Sequence, residues 1–379
     1  MRGLPCDIFC SVVDNYGDIG VAWRLARQLH AEHGLRIRLW LDELAALHRI
    51  WPRADADSAT QVVNDIEVRH WPAEFPAVTP AALVIEAFGC ALPANYLAAM
   101  ARREPRPLWL NLDYLSAESW VKGCHGLPSP HPRLPLTAYF FYPGFEPETG
   151  GLIREAGLLA QCRAYRDDPT AQARFWQSLG LVVPAARTLT VSLFAYDSPA
   201  IAKLLSVWAG GRQRVRCLVP EGVALEAAGR FIGQALVPGQ SLSRGALEIC
   251  ALPFFDQEGY DRLLWSCDLN FVRGEDSFVR AHWVGLPLVW HIYPQEAGAH
   301  WPKLEAFHDL YCQGLDARAA AAYRRFAFAW NRGQGVAEAW PDFMAHMPAL
   351  REHARAWTEH LAKMSDLAGK LMLFCKEKL

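Results

Sequence analysis

The chain has 379 residues, enough for two domains of about 150–200 residues, and its 52% hydrophobic and 21% charged content supports a sizeable core in each. With 38 basic against 40 acidic residues and a net charge of −2, it lacks the basic excess of a general nucleic-acid binder. No apolar run reaches the ~18 residues of a membrane span, and the stretch Met1 to Asp7 lacks a secretory signal pattern, so a cytoplasmic location is expected. Ten cysteines are scattered without a C-x-x-C pair, which points to buried reduced thiols rather than a zinc site.

Asp7-Ile8-Phe9-Cys10-Ser11-Val12-Val13 is a short apolar run that predicts a buried strand. Asp14-Asn15-Tyr16-Gly17-Asp18 breaks it. Apolar residues then recur at helical spacing from Ile19 through Ala22, Trp23, Ala26 and Leu29, with Asp18 as the expected N-cap. Residues 35–41 read as a second strand, which completes a βαβ unit. Strands over 82–88 and 108–112, with a helix over 93–101 between them, extend a mostly parallel sheet. The Pro- and Gly-rich stretch 122–151 reads as long loop.

A helical stretch over 160–180 precedes a second α/β series. Strands are expected over 188–194, 214–219, 247–252, 268–272 and 286–291, with helices over 198–208 and 257–267. Residues 350–379 place Leu350, Ala354, Trp357, Leu361, Met364, Leu367 and Leu371 on one face of a single long helix. The expected organisation is α/β with two doubly wound, Rossmann-like domains, 1–185 and 186–350, and a closing helix over 351–379. Ligands of such sheets bind beyond the carboxyl ends of the strands.

Two loops after strands stand out. Asp14 to Gly20 combines glycines and a helix start, which suit close backbone approach, with two carboxylates, which disfavour phosphate and suit a base or hydrogen-bond acceptor. Ordinary capping by Asp18 and an Asx-turn at Asp14 would also account for it. The second loop, Arg273-Gly274-Glu275-Asp276-Ser277, links a strand to a helix starting near Asp276. Backbone N–H groups there and the Ser277 hydroxyl could hold a diphosphate, with Arg273 pairing its oxygens and Glu275 holding a sugar hydroxyl or the attacked group. A cap with a surface ion pair is the plainer alternative. Phe194, Tyr196, Phe254, Phe255, Gln257, Tyr260, His291 and Tyr293 follow strands and could face a nucleotide base or fill core. Asp55-Ala56-Asp57 matches a D-x-D metal pattern but falls in an expected surface loop, and no nicotinamide fingerprint is present, so no metal or cofactor is expected.

The run from Asp7 to Val21 and the run Val272 to Ala281, followed by Trp290-His291-Ile292-Tyr293-Pro294-Gln295, closely resemble the elongation factor P arginine rhamnosyltransferases. Trp109-Leu110-Asn111, Tyr114-Leu115-Ser116-Ala117-Glu118, Ser129-Pro130 and Gly150 to Glu155 carry the likeness through the chain. The resemblance implies a GT-B glycosyltransferase, two facing Rossmann-like domains with a cleft between them, acting with inversion and without metal. It implies dTDP-β-L-rhamnose as co-substrate and an arginine of elongation factor P as acceptor, which the sugar activates for ribosomes stalled at polyproline. It also implies Asp18 as base, Glu275 as second catalytic carboxylate and Asp14 in support. Donor contacts would fall on Asn15, Tyr16, Gly17, Asp18, Tyr196, Gln257, Arg273, Gly274, Glu275, Asp276 and Ser277, with Phe254, Tyr260 and Tyr293 nearby. A GT-B-shaped sugar-nucleotide epimerase and a non-catalytic partner-binding protein are the alternatives. Neither nucleic acid nor membrane is an expected partner.

Overall fold

The structure, a computed structural model, describes residues 2–12 and 16–379. The first stretch of chain runs β1 (Pro5–Cys10), α1 (Gly17–His33), β2 (Arg36–Leu41), α2 (Leu44–Ile50), β3 (Thr60–Val63), β4 (Ile66–His70), β5 (Leu83–Ala87), α3 (Ala94–Arg102), β6 (Leu108–Leu112), α4 (Trp120–Cys124), β7 (Pro128–Pro130) and β8 (Thr137–Phe141). The strands form one sheet in the order β3-β4-β2-β1-β5-β6-β8-β7, parallel except for the edge strands β3 and β7. The stretch expected as loop over 122–151 thus contains a strand of the sheet, β8, paired with β6. Its flanking prolines and glycines hide a run of only five residues.

β1 is buried along nearly its whole length, which is why it reads as a continuous apolar run. Its one charge, Asp7, is 1% exposed and fully engaged. It accepts from Arg38 Nε and Nη2, both at 2.7 Å, from the Ala81 N–H at 3.0 Å and from the Tyr96 hydroxyl. A carboxylate taken out of water needs such compensation. Phe9, Trp40, Val84, Tyr96, Met100 and Trp109 pack together around it.

The second stretch runs α5 (Leu158–Arg166), α6 (Pro169–Ser178), β9 (Leu189–Leu193), α7 (Pro199–Gly210), β10 (Val215–Pro220), α8 (Val223–Ile232), β11 (Ser241–Arg244), β12 (Leu247–Leu252), α9 (Gln257–Trp265), β13 (Leu269–Arg273), α10 (Asp276–His282) and β14 (Leu288–His291). After the short turn Glu296–Gly298 come α11 (His300–Tyr311), α12 (Ala317–Arg332), α13 (Val336–Ala345), α14 (Met347–Ala362) and α15 (Leu367–Lys378). The sheet order is β11-β12-β10-β9-β13-β14, parallel except for β11.

The chain divides into one compact unit of 1–156 plus 362–379 and another of 157–361, not at 185/186 and 350/351 as expected. The first boundary moves because α5 and α6 bury Tyr165, Phe175 and Trp176 against Leu218, Cys250 and Leu252 of the second unit. The closing helix is two helices. Asp366 caps α15 by accepting from the Gly369 N–H at 3.0 Å and ends the continuity of the apolar face at Met364. The expected single helix over 160–180 is likewise split, where Asp168 caps α6 ahead of Pro169.

α15 is fastened within the first unit by polar bonds. Gln28 of α1 donates to Asp366 Oδ1 at 3.1 Å and to the Arg154 carbonyl at 2.8 Å, and Arg154 Nη2 donates to the Met364 carbonyl at 3.1 Å. The Leu367 N–H bonds the Leu152 carbonyl at 2.9 Å. Gly151 permits this approach, since its φ is 74° and a Cβ there would lie 2.7 Å from the Ser365 carbonyl oxygen.

Candidate active site

In each sheet the strand order reverses at one point, between β1 and β5 in the first unit and between β9 and β13 in the second. The carboxyl ends of such strand pairs are where open α/β sheets bind ligands. The described residues of both polar loops flank these strand ends. Ser11 and Val12 follow β1 and Tyr16 precedes α1; Phe194 to Tyr196 follows β9, and Arg273 to Glu275 closes β13.

In the first unit, α1 begins at Gly17, with Tyr16 at the cap position and no side-chain cap bond. Asp18 is therefore not the N-cap expected from the sequence. It lies in the first helical turn, 2% exposed, where the N-terminal end of the dipole favours an acid. Asp14 and Asn15 lie outside the described residues. Asp42, after β2, was not singled out by sequence. Its Oδ1 accepts the Val12 N–H at 3.0 Å, and its other oxygen accepts from the Ser11 hydroxyl, so it secures the start of the β1 loop. The only sequence signal for it is an acid at a strand's carboxyl end.

The neighbouring loop after β5 is held in an unfavourable backbone. Phe88 and Ala91 have φ of 58° and 54°. Glu86 secures it by accepting from the Ala91 N–H and from Trp109 Nε1, both at 3.0 Å. Burial pushes the Glu86 carboxyl up, opposed by these two bonds.

In the second unit, Arg273 sits at the end of β13 with its guanidinium carbon 4.5 Å from the Phe194 ring centroid and 4.7 Å from that of Tyr196. Tyr196 meets His291 and Tyr293 edge to face, each at 5.4 Å, and Phe194 meets Tyr260 at 5.5 Å. Tyr293 remains 45% exposed. Gly274, at φ 60°, makes the turn that strand-to-helix passage requires here, and its carbonyl accepts from Trp290 Nε1 at 3.0 Å. Glu275 is the cap residue of α10 without a side-chain cap bond, and it is half-buried. Ser277 is engaged in the turn itself: its hydroxyl donates to the Arg273 carbonyl and accepts the Arg273 N–H at 3.2 Å. Gln257, opening α9, donates to Asp276 at 3.3 Å. Phe254 lies half-buried just after β12, three residues ahead of Gln257.

The structure thus gathers Arg273, Tyr196, Gln257, Tyr260, Asp276, Ser277 and Tyr293 around one strand end, with Phe194 and His291 among them. Burial lowers His291 to about 4, helped by the Arg273 guanidinium and His300, so its ring is neutral at neutral pH. An aromatic-backed guanidinium beside amide and hydroxyl groups suits a planar base carrying anionic phosphate.

Among the described residues, no group of three or more His, Cys, Asp or Glu side chains is placed to hold a metal ion. In the D-x-D stretch, Asp55 Oδ1 accepts the Asp57 N–H at 2.9 Å, and Gln61 bonds Asp55 through both its amide atoms, so this acid closes a turn.

These two units have the fold of the GT-B glycosyltransferases. Acinetobacter baumannii MurG, only 10% identical, aligns over all of this chain and all of its own with a TM-score of 0.51, a likeness of fold alone. A solved structure described as the basis for EarP-mediated arginine glycosylation of translation elongation factor EF-P is 37% identical. It aligns over 99% of this chain and all of its own, with a TM-score of 0.71. A protein-arginine rhamnosyltransferase of Pseudomonas putida is 51% identical over 375 residues, covering 98% of this chain and 99% of that protein. Residues 6–376 match the family model for elongation factor P (EF-P) rhamnosyltransferase EarP. The chain belongs to that family.

Proposed function

We propose that this enzyme transfers rhamnose from dTDP-β-L-rhamnose to one arginine side chain of folded elongation factor P, with inversion and without a metal. The observation that carries the donor side is Arg273, stacked over Phe194 and Tyr196 at the β9/β13 switch point. In this reading the second unit binds the nucleotide sugar. The base lies against the aromatic side chains and Gln257, while Arg273 and the backbone of the Gly274–Ser277 turn take the diphosphate. Ser277 acts by closing that turn, consistent with its bonds to Arg273.

The first unit takes the acceptor. A guanidinium has a pKa above ~12, so a carboxylate does not deprotonate it in advance. Asp18 holds the cation and receives its proton as the new C–N bond forms at the sugar carbon and the bond from that carbon to the diphosphate oxygen breaks. Arg273 stabilises the charge left on dTDP, and Glu275 binds and polarises the acceptor, with Asp14 in support. Asn15, Tyr16 and Gly17 border the sugar. The compartment implied is that of the acceptor, the cytoplasm.

Mass spectrometry of elongation factor P incubated with the enzyme and dTDP-rhamnose tests this. A gain of one deoxyhexose residue on an arginine is expected. No gain, or conversion of the sugar nucleotide in the absence of acceptor, would overturn the proposal.

A further inference from the structure

Asp42 has no part in the chemistry assigned above, yet its carboxylate acts on the loop that leads to Asp18. β1 and β2 run parallel, and their backbone register ends at the pair Cys10 and Leu41. Beyond that pair a side chain continues the contact. Asp42 Oδ1 accepts the Val12 N–H at 3.0 Å, and Oδ2 accepts from the Ser11 hydroxyl. Both first residues of the β1 loop therefore hang on one carboxylate. The far end of the loop is fixed by α1, which begins at Gly17 and carries Asp18 in its first turn.

Helix capping alone would place this aspartate differently. Aspartate is among the preferred N-cap residues, yet the cap of α2 is its neighbour Glu43, which accepts the Ala45 N–H at 3.2 Å. Asp42 instead reaches across to the adjoining strand. Although exposed, it stands on a firm mount, with β2 ending at Leu41 and α2 starting at Leu44. Trp51 at the end of α2 ties that mount to α1: its ring lies 5.7 Å from that of Trp23, and the Arg27 guanidinium lies 4.3 Å from its centroid. The two acids also share a neighbour. Burial pushes the Cys10 thiol well up, and the Asp18 carboxylate adds to this, followed by Cys90 and Asp42, so both carboxylates lie close to the end of β1.

A base must sit within hydrogen-bond reach of its proton, and a displacement of about 1 Å can cost on the order of 10²-fold in rate. A loop held at its entry by two bonds to a rigid neighbour meets that demand. We propose that Asp42 is a positioning residue for the transfer step: through Ser11 and Val12 it sets where the β1 loop starts, and with it the placement of Asp18. The inference rests on the reading of Asp18 as the base.

The test uses the full-length enzyme, its elongation factor P acceptor and dTDP-rhamnose. In Asp42→Ala, kcat should fall about tenfold, while KM for the acceptor and the affinity for dTDP stay within about twofold of wild type. Asp42→Asn keeps an oxygen for the Val12 N–H and should recover most of the loss. Ser11→Ala removes one of the two bonds and spares the carboxylate, so it should lower kcat by a few-fold, and it reads the same link if Asp42→Ala does not fold. The double variant should be no slower than Asp42→Ala alone, because both changes break one contact. A raised acceptor KM with unchanged kcat would make Asp42 a direct contact of the acceptor and overturn the inference. So would wild-type kcat in folded Asp42→Ala and in Ser11→Ala, no recovery in Asp42→Asn, or strictly additive losses in the double variant. Normal turnover in folded Asp18→Asn would defeat the base reading and this inference with it. An inactive Asp18→Asn beside a fully active Asp42→Ala defeats the inference alone.

Discussion

Arg280 of α10 forks onto Asp261 of α9, Nε to Oδ1 at 2.9 Å and Nη2 to Oδ2 at 2.6 Å, with both side chains buried. The pair ties together the two helices whose first residues are Asp276 and Gln257, so it sets the spacing of the candidate donor loops. Removing one partner leaves a buried charge without compensation, a loss typically of about 3–5 kcal/mol. Asp261→Asn or Arg280→Met should therefore lower the unfolding midpoint by roughly 10 °C. The double change Asp261→Leu with Arg280→Met should recover much of that, because no charge then remains buried. Thermal melts of the three variants check it; equal losses in singles and double would show that packing, not charge, dominates there.

Asp18→Asn should cut transfer by at least about 10²-fold, since the amide preserves size and polarity in the first turn of α1 but accepts no proton. Folding and dTDP binding should persist. Rhamnosylation assays alongside calorimetry read both, and near-normal turnover in a folded variant would remove Asp18 from the role of base.

For Arg273→Ala we expect dTDP affinity to fall about tenfold or more, the usual worth of a charge-assisted phosphate contact. Arg273→Lys should recover little, because an ammonium does not stack between Phe194 and Tyr196 as a guanidinium plane does. Ser277→Ala should weaken dTDP binding too, by loosening the turn it closes through Arg273. Titration calorimetry with dTDP measures all three; wild-type affinity throughout would move the diphosphate elsewhere.

Transfer should survive excess EDTA. The positive charge near the leaving diphosphate is assigned to Arg273, and the acids of the first unit are assigned to the acceptor cation. A rate lost in EDTA and restored by magnesium would refute the metal-free reading and reopen the role of Asp18.

Stability should fall with acid in a particular window. Burial lowers His282 and His308 to about 3 and His291 to about 4. These lie below the unfolded value near 6.5, so the unfolded chain binds the extra protons first. The stabilisation is whole above about pH 6.5 and declines from there towards pH 4, by up to about 1.4 kcal/mol per pH unit for each histidine. His308 is the clearest probe. Its ring packs edge to face on Tyr323 and Phe328, and neither nitrogen has a hydrogen-bond partner among the described residues. His308→Phe should flatten the pH dependence of chemical denaturation between pH 6.5 and 4.5; an unchanged slope would mean that other groups carry it.

What could be read from sequence was what repeats or interrupts locally. Ile8-Phe9-Cys10 shows as a strand because both faces of β1 are covered, and the two polar loops show because charge breaks an apolar run at a strand end. The helix start was misplaced by one turn's chemistry: Asp18 looks like a cap, yet burial draws it inside the first turn. α11 has no clear sequence signature, because it buries His300, Leu304, Phe307, His308 and Tyr311 without a clean polar face opposite. Asp42 is invisible to spacing arguments, since it matters only through two bonds to a loop 30 residues earlier.

The first unit is completed by a helix that the chain supplies only after the whole second unit. α15 packs on α1 and buries Leu371, Met372 and Cys375, while the second unit is one uninterrupted stretch. During synthesis on the ribosome, the second unit can therefore close while the first still lacks a wall. Until α15 arrives, Gln28 has no Asp366 to bond, and the helix bearing Asp18 stays unsupported on that side. The order of translation thus delays assembly of the first unit, with its candidate base, until α15 has followed the second unit off the ribosome.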